Sequence, residues 1–165
     1  MEVTFLLQGI DRYGLLIVFL VVFLEYLNLP GFPAGVILPF SGVWAARGHS
    51  FLITLFVTVV AGILGSILLY YVGKFGGSKL LRICMGKSER VRKAYEALQR
   101  KIERQGSKAV FLSKLVPVLR TLVGIPAGAM NMNLMNYVIS STLGICIWNG
   151  ILVSAGYFFG VGVMA

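Results

Sequence analysis

Leu29-Pro30-Gly31-Phe32-Pro33-Ala34-Gly35 interrupts a stretch, Gly14 to Ala46, that carries a single charge, Glu25. Each proline lacks a backbone donor and crowds the preceding turn, and the glycines permit sharp bends, so no helix runs through these seven residues. The chain nevertheless stays apolar beyond them, through Val36, Ile37, Leu38, Phe40, Val43 and Trp44. Broken backbone at membrane depth is tolerated only where protein covers it or where it lines a watery cavity. Residues 30–46 therefore read as a re-entrant hairpin, with Pro30, Pro33 and Gly35 shaping its bend.

That reading needs a membrane, and the composition calls for one. Of the 165 residues 58% are hydrophobic and 13% are charged, about half the ~25% charged of a soluble domain. One core of this size cannot hide so much apolar surface, so lipid must solvate the rest. The net charge of +9 is segregated: eleven of fifteen Lys and Arg residues and three of six acids lie between Lys74 and Lys108, and 121–165 carries none. Such clustering fits a cytoplasmic loop of a cytoplasmic-membrane protein rather than a nucleic-acid surface, and it places Arg47 to Ser50 on the opposite side.

Outward from the first break, residues 1–13 read as a short interfacial helix and Gly14 to Leu29 as a short or tilted span. With Glu2 and Asp11 ahead of a long apolar run, no cleaved signal is expected. Phe51 to Gly73 is uncharged over 23 residues, enough for one crossing, which takes about 20. Gly62, Gly65 and Ser66 let another helix approach it, and Tyr70 and Tyr71 suit the headgroup level. In the basic segment Ser88 can cap a helix that ends near Gly106. The stripe Val91, Tyr95, Leu98 and Ile102 makes that helix amphipathic, either lying on anionic headgroups or serving as a solvated connector.

A second broken stretch, about 109–130, contains Lys114, Pro117, Arg120 and Pro126, and its Pro126-Ala127-Gly128 repeats Pro33-Ala34-Gly35. The endings Tyr71-Val72-Gly73-Lys74-Phe75-Gly76 and Tyr157-Phe158-Phe159-Gly160 also correspond. Leu134 to Ala165 would span about 48 Å as helix, so it must tilt, kink or split. Interrupted apolar segments at matching places in two halves point to a transporter site between repeats. The expected fold is all-α. It is a single polytopic membrane domain over 1–165, built from a first half (1–73), a basic cytoplasmic segment (74–108) and a second half (109–165). Two re-entrant broken-helix hairpins sit in an inverted-repeat arrangement.

A charge near the bilayer centre costs ~2.5 to 3.5 kcal/mol on insertion scales, so ionisable residues in such stretches face a cavity or one another. Glu25, Lys114 and Arg120 are the candidates. A turn at Pro117 would bring both cations to one pocket, Arg120 gripping a lipid phosphate bidentately and Lys114 adding charge. Glu25 would compete for Arg120 or take up a proton as the lipid moves; the alternative is an ion pair that only locks the hairpins together. Lys114 could instead snorkel to the interface. Freed backbone donors near Gly124 to Gly128 suit an anion. His49 reads as a turn residue, Asn131, Asn133 and Asn136 as caps or polar lining, and Trp148 as a packing or belt residue. Cys84 and Cys146 lie in different environments and suggest neither a disulfide nor a metal site; a palmitoyl chain on Cys84 is a lesser alternative. No cofactor and no catalytic residue is indicated.

Several spaced motifs resemble the DedA family of membrane proteins, related to the SNARE-associated or VTT domain. They are Glu25 before Pro30-Gly31-Phe32-Pro33, Gly62-Ile63-Leu64-Gly65 with Tyr70-Tyr71-Val72-Gly73-Lys74-Phe75-Gly76-Gly77, Phe111 through Arg120 followed by Ala127-Gly128, then Gly144 and Trp148. The resemblance implies paired hairpins that face each other and a lipid transporter or scramblase. Bacterial members are associated with undecaprenyl phosphate or phosphatidylethanolamine. Two positions depart from the family pattern: Lys114 stands where Arg is usual, with Pro117 and Arg120 in place, and Gly35 stands where a second acid is frequent.

The function expected from residues and resemblance together is a flippase or scramblase for a phospholipid or polyprenyl phosphate, with protons and a homo-oligomer as further partners. A lipid-phosphate-modifying enzyme and a non-transporting scaffold are the alternatives.

Overall fold

The structure, a computed structural model, describes the backbone of residues 2–27, 36–85, 89–117 and 119–164, and side chains within 13–27, 36–76, 92–93, 95–117 and 119–163. Pro30, Pro33, Gly35 and Ser88 lie outside the described residues, as does the side chain of Cys84. Among the described residues every element is helical: α1 (Glu2–Tyr26), α2 (Ile37–Ala46), α3 (Phe51–Met85), α4 (Glu89–Gln105), α5 (Ser107–Lys114), α6 (Leu119–Leu122), α7 (Gly124–Ala129) and α8 (Leu134–Met164). Two of them, α3 and α8, are long and apolar enough to cross a membrane.

Two boundaries differ from the sequence reading, and a third, left open there, is decided. The interfacial segment at 1–13 is not separate, because α1 runs without proline through Gly14, which is buried against the Trp44 ring. The helix expected to stop at Gly73 continues through Lys74 to Met85. Glycine alone costs a helix only about 1 kcal/mol relative to Ala, less than its packed neighbours return. For the same reason α8 stays one helix of 31 residues despite Gly144, Gly150 and Gly156. At 1.5 Å per residue it exceeds the ~30 Å hydrocarbon core.

The short helices pack on the long helix of the opposite half: α2 lies on α8, and α7 lies on α3. The register is the same in both places. A Cβ on Gly42 would overlap the Val153 carbonyl and the Tyr157 nitrogen; one on Gly128 would overlap the Tyr70 carbonyl and the Lys74 nitrogen. In return Gly156 meets the Pro39 carbonyl, and Gly73 meets the Ile125 carbonyl. Backbone thus touches backbone at four points where any side chain would hold the helices apart.

This register corrects the alignment of the halves. Pro126-Ala127-Gly128 matches Phe40-Ser41-Gly42 rather than Pro33-Ala34-Gly35, and Gly73 matches Gly156. The equivalence extends to the first helix of each half. Gly65 meets the Cβ of Tyr26 and the carbonyl of Phe23, as Gly144 meets the Cβ of Lys114 and the carbonyl of Phe111. Tyr26 and Lys114, each the last residue of its helix, therefore occupy corresponding places.

α4 is amphipathic as expected, but its apolar face meets protein. Leu98 and Ile102 are buried with Tyr70, Ala109, Val110, Val123, Ala127 and Tyr137, while Arg92, Lys93, Glu96, Arg100, Glu103 and Arg104 are exposed. Gly106, at φ +54°, turns the chain so that α4 folds back on α5. That left-handed conformation favours glycine. Tyr70 is likewise not a headgroup-belt residue: it is buried, and its hydroxyl donates to the carbonyl of Met132.

Candidate functional site

Glu25 and Tyr26 end α1, Lys114 ends α5, and Arg120 lies in α6, so the charged residues sit where helices break. The chain reverses at Leu115 to Pro117, with Arg120 N–H donating 2.9 Å to the Val116 carbonyl. That turn brings Lys114 and Arg120 together, as the position of Pro117 suggested. Pro117 itself is exposed, whereas Pro126 and Gly128 are buried on α3.

Arg120 is fully buried, and its Nη2 pairs with the equally buried Glu25 Oε1. The Tyr26 ring lies 4.6 Å from the guanidinium carbon and the Trp148 ring 5.7 Å, close enough for cation–π attraction from both. The Tyr26 hydroxyl donates 2.8 Å to Asn149 Oδ1. The pair therefore spans the two halves, 95 residues apart in sequence, within an aromatic cage. A buried pair of this kind is weak evidence for stability, yet removing one partner typically costs about 3–5 kcal/mol.

Lys114 is buried, which excludes snorkelling. Its Nζ donates 2.8 Å to Ser66 Oγ and 2.9 Å to the main-chain carbonyl of Arg120, with the Tyr26 and Tyr137 rings 5.9 and 5.8 Å away. The Tyr137 hydroxyl donates 3.1 Å to the carbonyl of Ser66. Thus Ser66, a close-approach residue in the sequence reading, is also a polar anchor.

Two cationic side chains and one carboxylate meet here, and the balance of hydrogen bonding is uneven. Arg120 Nε and Nη1, Trp148 Nε1 and Asn149 Nδ2 are buried without a hydrogen-bond partner among the described residues. All four are donors, and each such orphan costs about 1–3 kcal/mol. These donors stand beside the Glu25 carboxylate, and their chemistry suits an anion.

The other candidates lie elsewhere. His49 stacks on Trp44 at 3.8 Å in the turn after α2. Asn133 caps α8 by accepting from Asn136 N–H at 3.2 Å, and Asn131 adopts φ +50° in the preceding turn. Cys146 is exposed on α8. Sequence reasoning missed Tyr26, Asn149 and Trp148 as neighbours of Arg120. An Asn in an uncharged apolar run was the available signal, since a buried amide requires partners.

A family model for the VTT domain matches residues 10–158. The chain belongs to the VTT-domain, or DedA, family of membrane proteins. Among its relatives, undecaprenyl phosphate transporter A of Staphylococcus aureus is 32% identical over 90% of this chain and 75% of its own. An alkaline phosphatase-like protein of Lactococcus lactis is 29% identical over 94% of this chain and 75% of its own. The DedA protein of Escherichia coli is 27% identical over 94% and 74%. No solved structure gives a significant match. In this member of the family the polar cluster lies at the meeting of two halves that are packed by one rule.

Proposed function

We propose that this DedA-family protein is a flippase or scramblase that moves a phosphate-bearing lipid, such as undecaprenyl phosphate or a phospholipid, across the cytoplasmic membrane. The carrying observation is the buried Arg120, held by Glu25 between the halves, with no hydrogen-bond partner for Nε and Nη1 among the described residues. In this reading a lipid phosphate displaces Glu25 and takes the fork of Arg120, because a planar guanidinium binds phosphate bidentately. Glu25, released, takes up a proton and couples lipid movement to the proton gradient. The breaks after α1 and α5 belong to two re-entrant hairpins in an inverted repeat, with α2 and α6–α7 as their short arms. They shorten the barrier the headgroup crosses while the tails stay in lipid. Residues 74–108 face the cytoplasm. The name of the Staphylococcus aureus relative supports a polyprenyl phosphate as cargo.

The test is reconstitution of the pure protein in liposomes carrying labelled undecaprenyl phosphate or phosphatidylethanolamine. Headgroup movement should be lost in Arg120→Ala and strongly reduced in Arg120→Lys, which keeps the charge facing Glu25 but not the fork. Identical movement in wild type and both variants would remove the phosphate-gripping role. A pH dependence that persists in Glu25→Gln would remove Glu25 from coupling. The Lactococcus lactis relatives' name favours a second reading, a phosphate-releasing enzyme; release of inorganic phosphate from the labelled lipid would replace transport with it.

A further inference from the structure

The four orphaned donors do not all belong to the arginine. Trp148 Nε1 and Asn149 Nδ2 lie on consecutive residues of α8, beside a guanidinium whose Nε and Nη1 also have no hydrogen-bond partner among the described residues. Asn149 is fully buried and its Oδ1 is occupied by the Tyr26 hydroxyl, so its amide nitrogen is left to donate elsewhere. The Trp148 ring sits 5.7 Å from the Arg120 guanidinium carbon, and the Tyr26 ring 4.6 Å from the same atom, which ties all three side chains to one locus. Lys114, by contrast, has acceptors in Ser66 and the Arg120 carbonyl.

Glu25 accounts for one Arg120 nitrogen, Nη2. A phosphate has more acceptor oxygens than a carboxylate and presents them in a tetrahedral array. Neutral amide and indole N–H groups can share those oxygens with a guanidinium without adding charge. We infer that Trp148 and Asn149 are phosphate-binding residues: the indole and amide N–H groups donate to the same phosphate that Arg120 grips, so α8 supplies half of the anion site. The inference rests on the phosphate reading of Arg120 given above. A phosphate borne by a lipid and a free phosphate ion share this chemistry.

The experiment is calorimetric titration of the purified full chain in detergent with farnesyl phosphate, farnesol and inorganic phosphate. The variants are Trp148→Phe, which keeps a ring on Arg120 but removes the N–H, and Asn149→Leu, which keeps the side-chain size and removes the amide donors without adding a charge. Each should weaken farnesyl phosphate binding about tenfold or more, the size expected for a hydrogen bond to a charged group. Farnesol binding should not change. Inorganic phosphate binding with the same losses assigns a free phosphate; losses seen with farnesyl phosphate alone assign the lipid headgroup.

Unchanged farnesyl phosphate affinity in both variants, with Arg120→Ala defective, overturns this inference and leaves the transport reading standing. Full affinity in Arg120→Ala overturns both. Equal losses for farnesol and farnesyl phosphate also overturn the inference, because the donors would then not act on phosphate. Thermal unfolding in detergent accompanies each variant, and if Asn149→Leu unfolds early, Trp148→Phe decides.

Discussion

Lys114 holds Arg120 by its backbone, donating 2.9 Å from Nζ to the Arg120 carbonyl oxygen. The two cations of the second broken stretch therefore act in series: one fixes the main chain from which the other projects. Lys114 also reaches Ser66 on α3, so it ties the turn at 115–117 to the first half. Replacing it with Met leaves two buried acceptors unmatched, and stability should fall by about 2 kcal/mol. Thermal or denaturant unfolding in detergent measures this. A variant as stable as wild type would contradict the tether.

The Glu25 and Arg120 pair predicts non-additivity. Either Glu25→Leu or Arg120→Met alone leaves a buried charge without its partner and should destabilise by about 3–5 kcal/mol. The double substitution removes both charges and should cost clearly less than the sum, as a double-mutant cycle in detergent will show. Simple addition of the two losses would mean the side chains are not coupled.

Glycines on α8 should separate into two kinds. Gly156 lies on the Pro39 carbonyl, whereas a Cβ on Gly150 meets nothing within 4 Å. Gly156→Ala forces α2 away and should lose about 1–3 kcal/mol, the usual cost of overpacking. Gly150→Ala should be neutral or gain about 0.5–1 kcal/mol from helix propensity. The ordering of the two melting temperatures is the readout, and the reverse order would reject the observed register.

Where α4 sits is also open to measurement. Leu98→Ala should destabilise the protein by about 2–5 kcal/mol in detergent, because Leu98 is buried against α5 and α7 neighbours. If α4 instead lay on headgroups, the substitution would leave detergent stability unchanged and weaken its protection from protease in liposomes.

Charge segregation predicts topology. With Cys84 and Cys146 replaced by Ser, cysteines placed singly at Arg100 and His49 should react with an impermeant thiol reagent from opposite sides of the membrane, Arg100 from the cytoplasm. Labelling of both from one side would overturn the assignment of 74–108.

The sequence by itself called for a helical chain solvated by lipid with breaks at its proline-bearing stretches, and it singled out Glu25, Lys114 and Arg120 as the ionisable residues to explain. These properties depend on composition, proline chemistry and the cost of charge in hydrocarbon, all of which act locally. Only the tertiary structure decided which glycines meet which carbonyls, so that Gly128 corresponds to Gly42 and not to Gly35. It alone buried Leu98 and Ile102 of α4 in protein and moved Tyr70 from the interface to the core. It also placed Tyr26, Trp148 and Asn149 around Arg120. Packing between segments far apart in the chain has no local signature: a small residue says that a close approach is possible, and the partner's backbone says where it occurs.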